Sequence, residues 1–227
     1  MQQEAYLGRL VDEVQGGQYR VRSQPEQKVA ADEITLSEML HHSHKPRLTR
    51  AQRFQIALKV ASSHLQLHST PWVTKQWESG DVRFPQTSAD GSSILLDRPF
   101  VSASFGTPPP ATRAPRLSDR SFGCLGIMLL ELLFDTRIEE HWLWLQLGAQ
   151  NITNPMFRLL VAKHWIDDVE GEAGSQFFAT VDWCLNKSPT TLDGDEWRKD
   201  LACEVVLPLQ HCCDWIKTTT ESRSSTS

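Results

Sequence analysis

The chain has 227 residues, 22% of them charged, and a formal net charge of −5 at pH 7. This length suits one domain with a sizeable core. The acidic balance argues against a nucleic-acid partner, because surfaces that bind phosphate backbones normally carry an excess of Lys and Arg. A membrane partner is not expected either, since the longest apolar run, residues 122–134, contains Glu131 and is shorter than the ~20 residues of a spanning helix.

The N-terminus and the cysteines indicate the compartment. The chain begins Met1-Gln-Gln-Glu-Ala-Tyr6, with no basic patch ahead of an apolar segment, so no secretory signal is predicted. The cysteines lie in apolar helical patterns that lack the spacing of a disulfide scaffold. They are Cys124, Cys184, Cys203, Cys212 and Cys213. We therefore expect a reducing compartment and a cytoplasmic location.

Residues 1–33 form the first predicted segment. They are polar and weakly periodic, but Gln15-Gly-Gly-Gln18 lies between two short β-prone stretches, which favours a β-hairpin. Residues 34–40 are expected to form one or two helical turns, and Pro46 fixes the boundary that follows.

A long amphipathic helix is predicted over residues 49–68. Thr49-Arg-Ala-Gln52 has the spacing of a capping box, and apolar residues then recur at helical intervals. Residues 69–115 are rich in Pro, Ser, Thr and Gly and form a loop-rich belt, with β-like pieces at 81–84, 93–96 and 100–104. Function often resides in such loops.

The second half of the chain is predicted to be helical. Residues 119–134 are apolar on nearly every face, as expected of a helix surrounded by other helices, and Gly123 and Gly126 would allow close approach. Further helices are expected at 155–166, 176–187 and 196–215, with a kink or break at Pro208. Residues 218–227 are expected to form a disordered tail. The predicted core comprises Phe54, Leu58, Leu65, Phe122, Leu125, Leu129, Leu132, Trp165, Trp183 and Val206.

Two motifs resemble protein kinases. Asp119-Arg-Ser-Phe-Gly-Cys-Leu-Gly-Ile-Met-Leu-Leu-Glu131 resembles the buried central helix of a kinase C-terminal lobe, and Leu65-Gln-Leu-His-Ser69 resembles the end of the helix before the catalytic loop. The resemblance implies a mainly α fold with a few short β-strands, a kinase C-lobe-like domain over residues 34–217, and an N-lobe that is absent or vestigial. Together with Thr70-Pro-Trp72, these motifs are similar to a kinase-related domain of filamentous-fungal proteins with no assigned activity.

The positions that resemble the kinase catalytic loop are degenerate. Thr74, Lys75 and Gln76 stand where kinases carry His-Arg-Asp, and Gln76 has no basic site to accept the hydroxyl proton. Glu78 replaces the phosphate-facing lysine and reverses its charge. Asp81 replaces the metal-holding asparagine, and it is the one substitution that could still ligate a divalent cation.

The metal motif is degenerate as well. Val101-Ser-Ala-Ser-Phe-Gly106 resembles Ile-Ser-Asp-Phe-Gly, so Ser104 replaces the metal-binding aspartate ahead of Phe105 and Gly106. A neutral hydroxyl cannot balance the charge of magnesium as a carboxylate does. Asp119 resembles the aspartate that accepts hydrogen bonds from the catalytic-loop backbone, and we expect it to be structural.

These losses predict no catalytic residue, no cofactor and no kinase activity. The preferred hypothesis is a non-catalytic, pseudokinase-like regulatory or scaffolding domain that binds a protein partner in intracellular signalling, with Trp72, Trp77 and Trp142 as exposed contact residues. The first alternative is a nucleotide sensor that uses Asp81 for a metal. The second is a divergent phosphotransferase that recruits another carboxylate, such as Asp97.

Three other clusters have simpler explanations. His41-His-Ser-His44 suggests a metal, but zinc needs preorganised geometry and a fourth ligand, so a surface linker is predicted and no metal site. Ser121, His141 and Asp119 could supply a hydrolytic triad, but Ser121 lies in a predicted buried helix rather than on a strained turn. Glu139-Glu140 and Asp167-Asp168 are expected at solvated helix ends.

Overall fold

The structure is a computed structural model that describes residues 6–11, 18–22, 32–44, 46–67, 77–86, 93–101, 122–147, 155–187 and 196–224. Five strands and nine α-helices are found in these ranges. The strands are β1 (Tyr6–Val11), β2 (Gln18–Arg22), β3 (Glu33–Thr35), β4 (Val82–Pro85) and β5 (Phe100–Val101). The helices are α1 (Leu36–Leu40), α2 (Arg50–Leu67), α3 (Gly123–Phe134), α4 (Trp142–Leu147), α5 (Pro155–Trp165), α6 (Val169–Ala173), α7 (Ser175–Asp182), α8 (Glu196–Leu201) and α9 (Leu207–Ser224). The prediction of a mainly α fold with a few short strands is confirmed.

The predicted N-terminal hairpin is present. Strands β1 and β2 pair antiparallel with Val11 opposite Gln18 and Tyr6 opposite Arg22, and the register shifts between Tyr6 and Gly8. The turn between the strands lies outside the described residues.

A three-stranded antiparallel sheet joins residues 33–35 to two described parts of the loop-rich belt. Its order is β3-β4-β5, with Ile34 opposite Phe84 and Val82 opposite Val101. The predicted β-like piece at 81–84 is β4, and the piece at 93–96 contributes a single bridge between Ile94 and Gln86. The third piece is a strand where it is described, since β5 covers residues 100–101, and residues 102–104 lie outside the described residues.

Two helices start with capping boxes, of which the one at α2 is predicted by the sequence. Helix α2 covers residues 50–67 of the predicted 49–68, and its capping box is formed. The Thr49 N–H donates to Gln52 Oε1 at 2.8 Å and the Gln52 N–H donates to Thr49 Oγ1 at 3.3 Å. Helix α1 starts with an equivalent box, in which the Thr35 N–H donates to Glu38 Oε2 at 2.8 Å and the Glu38 N–H donates to Thr35 Oγ1 at 3.1 Å. Each box satisfies N–H groups that a helix start leaves without partners.

Helix α3 is the central element, as its composition predicts. Ten of its twelve residues are buried, and it packs against α2, α5, α7 and the π-helical turn Trp183–Lys187. A Cβ at Gly126 would lie 2.8 Å from Leu185 Cδ2 and 2.9 Å from its Cγ, so the close approach of these elements requires glycine there. No helix in the described part of the chain combines the length and apolarity needed to cross a bilayer.

The hydrophobic core is largely the predicted one. Seven of the ten predicted residues are buried, and the remaining three, Leu58, Leu65 and Val206, are partly buried against the same cluster. Aromatic rings join its layers: Phe54 lies 5.1 Å from Phe177, and Phe122 lies 5.4 Å from Trp183, measured between ring centroids. Ring contacts of this kind add to the free energy gained from area burial.

The C-terminal helical region is divided ahead of Pro208, as predicted. A π-helical turn, Ala202–Val206, joins α8 to α9, because proline supplies no N–H for a regular α-helical ladder. The disordered tail expected from residue 218 is instead helical as far as Ser224. The hydroxyls of Thr218 and Thr219 both donate to the Trp215 carbonyl, at 2.9 and 2.8 Å, so polar residues that suggested disorder are bonded locally to the helix.

Candidate functional site

Two of the predicted site residues, Glu78 and Asp81, lie in the described part of the chain, directly before β4. The other predicted site residues lie outside the described residues: Thr74, Lys75, Gln76, Ser104, Phe105, Gly106 and Asp119. Ser121 and Trp72 also lie outside the described residues. The site is therefore built from Glu78 and Asp81 outward.

Asp81 closes the turn that begins at Glu78. Its Oδ2 accepts a hydrogen bond of 3.0 Å from the Glu78 N–H, and the Asp81 N–H donates to the Glu78 carbonyl at 2.9 Å. This is the local bonding that favours aspartate in turns. One oxygen of the carboxylate that could still ligate a divalent cation is thus engaged in shaping the backbone.

Glu78 is paired with Arg158 of α5. Glu78 Oε2 accepts from Arg158 Nη1 at 2.9 Å, and the same guanidinium lies 3.4 Å from Glu139 Oε1 and 4.0 Å from Glu131 Oε1. Sequence reasoning identified the reversed charge at Glu78 but missed its partner. No local pattern could have indicated it, since the two residues are 80 positions apart.

Glu131 lies fully buried behind this ion-pair cluster. Its Oε1 accepts from the Ile138 N–H at 3.1 Å, whereas its Oε2 finds no hydrogen-bond partner in the described structure. Burial raises the pKa of Glu131 to about 7, and the negative charge of Glu139 adds to the increase, against the lowering effects of the Ile138 N–H, Arg158 and Ser79. At neutral pH such a carboxyl is partly protonated and partly ionised.

The chemistry open to this cluster is limited by burial and by charge. Glu131 could hold a proton near pH 7, but its side chain has no exposed surface from which to reach a substrate. Glu78 and Glu139 share the guanidinium of Arg158, so the part of the cluster that the structure describes presents no free cation to a phosphate. Asp97 is the carboxylate that the phosphotransferase alternative would recruit for a metal. Its side chain is 69% exposed, and its Oδ2 lies 3.7 Å from Arg98 Nε.

The hydrolytic triad finds no support in the position of His141. Its ring is buried and packs 5.0 Å from Trp165, and its Nδ1 accepts from the Leu143 N–H at 3.2 Å. Desolvation, followed by repulsion from His164, lowers the pKa of His141. In this role the imidazole stabilises the start of α4, where N–H groups need acceptors.

An apolar face on α4 and α5 is the second notable feature of the surface. It consists of Trp142, Leu145, Leu147, Met156 and Leu160, each 49–70% exposed. The two helices are held together beneath it, since Trp144 packs against Phe157 at 5.1 Å and Trp142 against His164 at 5.2 Å. Several large exposed apolar side chains on two packed helices are typical of interaction sites.

Trp77 does not belong to that surface, which corrects the expectation that it is exposed. It is 4% exposed and packs edge-on against His64 of α2 at 4.6 Å. A tryptophan in a polar loop suggests exposure, but here the loop folds onto α2. Of the three predicted contact residues, Trp142 is exposed as predicted and Trp72 lies outside the described residues.

A groove of about 760 Å³ lies between the start of α2, the junction of α6 and α7, and α9. Phe54 and the exposed Trp215 supply apolar walls, and Arg50 crosses one end, where it donates to the Glu172 carbonyl at 3.0 Å. Cys212 lines the groove while Cys213 is buried, because adjacent residues of a helix point about 100° apart.

Fold and site together define a mainly α-helical domain with a small antiparallel sheet, a buried central helix and a carboxylate-rich cluster around one arginine. Residues 9–215 match the family model described as "Domain of unknown function (DUF7580)", and the chain belongs to this family. No curated protein and no solved structure matches the chain.

Proposed function

We propose that this domain is a non-catalytic, pseudokinase-like module that binds a protein partner in cytoplasmic signalling. The observation that carries the proposal is the ion pair between Glu78 and Arg158. At the position that resembles the phosphate-facing lysine of kinases, this chain has a carboxylate whose charge is used in holding α5 to the loop before β4.

Electrostatics supports a site that does not take a nucleotide. Transfer of a phosphoryl group depends on cations that neutralise the phosphates and on a carboxylate that positions the nucleophile. Here the carboxylates of Glu78 and Glu139 already share Arg158, and one oxygen of Asp81 closes its own turn. An incoming polyphosphate would therefore meet negative charge without a free counter-charge among the described residues of this cluster.

The apolar face of α4 and α5 supplies the partner surface. Large exposed apolar side chains that stand on a packed helix pair can be buried by a partner with little loss of side-chain freedom, and tryptophan is the residue most enriched at energetic centres of interfaces. Trp142 is half exposed yet fixed against His164. It is the residue we expect to contribute most to binding.

Thermal unfolding with and without millimolar ATP and Mg²⁺ tests the nucleotide half of the proposal. We expect the same unfolding midpoint in both, because the proposed site does not bind the nucleotide. A ligand that did bind, at 100 times its Kd, would add about 2.7 kcal/mol of stability. A Mg²⁺-dependent rise in the midpoint that Asp81→Ala abolishes would instead support the nucleotide-sensor alternative.

Substitution on the apolar face tests the partner half. Proteins that copurify with the full chain are compared between wild type, Trp142→Ala and Trp215→Ala. The two tryptophans are 50% and 63% exposed and lie on different helices, so the second is a matched control. We expect Trp142→Ala alone to lose the major partner, and equal retention by both variants would contradict this surface.

A further inference from the structure

The fold brings a carboxylate to the histidine run that follows α1. Glu140 ends a short 3₁₀ turn, Ile138–Glu140, far along the chain from His41 and His42. One ligand atom from each of these three residues lies within 4.8 Å of the other two. His41 Nε2 is 3.8 Å and His42 Nδ1 is 3.5 Å from Glu140 Oε1.

Glu140 is held in place for this role, which corrects the expectation of a solvated helix end. Its side chain is 18% exposed, and it accepts hydrogen bonds from Thr136 Oγ1 at 3.1 Å and Arg137 Nε at 3.2 Å. Desolvation acts to raise its pKa, but the bonds from Arg137, Thr136 and His42 lower the pKa below its usual range. The group is an oriented, ionised carboxylate, as a metal ligand must be.

The backbone beside the imidazoles is fixed as well. The His41 carbonyl accepts from the His44 N–H at 2.9 Å and from Arg47 Nη1 at 3.1 Å. The His41 and His42 rings lie 4.2 Å apart, measured between centroids. Both rings are partly exposed, at 37% and 70% of the side chain, so they can turn by the small amount that closes a coordination shell.

We propose that His41, His42 and Glu140 bind one divalent transition-metal ion of the zinc type. Two imidazole nitrogens and one carboxylate oxygen favour Zn²⁺, Co²⁺, Ni²⁺ or Cu²⁺ over Mg²⁺ and Ca²⁺, which take oxygen ligands. Three protein ligands leave one position of a tetrahedral shell for water or another small ligand. The bound ion would join the linker after α1 to the 3₁₀ turn after α3.

Two features of the site limit the affinity. The Ser43 N–H donates to His41 Nδ1 at 3.2 Å, so the neutral ring carries its proton on Nε2, and binding through Nε2 requires that proton to be released or moved. The Arg137 guanidinium also competes with a metal for Glu140 Oε1. Both features lower the affinity that three such ligands would otherwise provide.

The test is a Zn²⁺ titration of the untagged full chain in competition with a chromogenic chelator. We expect one ion per chain, and a loss of about tenfold or more in affinity for Glu140→Gln and for His42→Ala. His44→Ala is the matched control, because His44 lies in the same run but outside the cluster, and we expect it to stay within about twofold of wild type.

Three results would overturn the proposal: failure of the wild type to compete with the chelator, equal binding by Glu140→Gln, or equal losses in His44→Ala and Glu140→Gln. Circular dichroism and metal-free thermal unfolding establish that the variants fold. As a second readout, Co²⁺ should give the visible absorption of a tetrahedral nitrogen and oxygen shell in the wild type and not in Glu140→Gln. Mg²⁺ and Ca²⁺ should leave the unfolding midpoint unchanged.

Discussion

The hydroxyl of Thr180 donates a hydrogen bond of 3.2 Å to the carbonyl of Glu204 across two helical elements. Glu204 lies four residues before Pro208, which lacks the N–H that would bond to this carbonyl in a regular α-helix. Thr180 is completely buried, and its single O–H proton is shared between this carbonyl and the Gln176 carbonyl of its own helix, which lies 3.0 Å from Oγ1. The side chain of one helix therefore satisfies a backbone acceptor that the proline of another leaves open.

Replacing Thr180 tests this relationship. We expect Thr180→Val to lower the free energy of unfolding by about 1–2 kcal/mol, because it preserves shape and leaves an acceptor unsatisfied in a packed region. In a Pro208→Ala background the loss should be smaller, since alanine restores an N–H. Denaturant unfolding of the two single variants and the double variant measures this coupling, and additive losses would show that the two positions are independent.

Stability should fall as pH rises toward neutrality because of Glu131. Its pKa is raised by burial to about 7 in the folded chain from 4.5 ordinarily, so the folded state binds more protons than the unfolded state between these values. The stabilisation is complete below the unfolded-state pKa of 4.5 and is lost as pH rises through the folded-state pKa of about 7. The loss amounts to as much as about 3 kcal/mol between about pH 5 and pH 8.

Glu131→Gln should remove this dependence, because the amide stays neutral and its oxygen can still accept from the Ile138 N–H. Denaturant unfolding at several pH values compares it with wild type, and Glu78→Gln is the control on the exposed side of the same cluster. An unchanged slope in Glu131→Gln would show that another group causes the dependence.

Arg158→Met should destabilise the chain more at pH 8 than at pH 5.5. The substitution removes the guanidinium that faces Glu78, Glu139 and Glu131, and only at the higher pH is Glu131 largely ionised. We expect a loss of about 1–2 kcal/mol at pH 8, between the loss typical of an exposed ion pair and that of a fully buried one. Arg98→Met serves as control with almost no effect, because its pair with Asp97 is exposed and such pairs contribute little.

Gly126→Ala should destabilise α3 packing. The new methyl would lie within 3.0 Å of three atoms of Leu185 and Cys184, and overpacking of a core typically costs about 1–3 kcal/mol. Gly171→Ala is the opposite control, since nothing lies within 4 Å of its added Cβ and a helical alanine gains about 0.5–1 kcal/mol over glycine. Thermal unfolding midpoints of the two variants should move in opposite directions.

Local signals in the sequence predicted the elements well. The Thr49 and Gln52 cap, the apolar run of α3 and the break at Pro208 each depend on residues within a few positions of one another, where spacing alone dictates hydrogen bonding and burial. The prediction of a disordered C-terminal tail was wrong because it also relied on local composition. Its polar composition resembles a disordered segment, and its hydroxyl bonds to Trp215 are visible in the folded helix.

Local patterns in the sequence were enough to predict that the domain is mainly α-helical and that α3 is its buried centre, whereas the interpretation of Glu78 and Asp81 as degenerate kinase positions stays a prediction. The tertiary structure alone decided that Glu78 meets Arg158, that Trp77 is buried, and that Glu140 joins His41 and His42. The physical reason is that periodicity and capping are local, whereas the pairing of distant side chains depends on which helix faces pack together and how loops cross them.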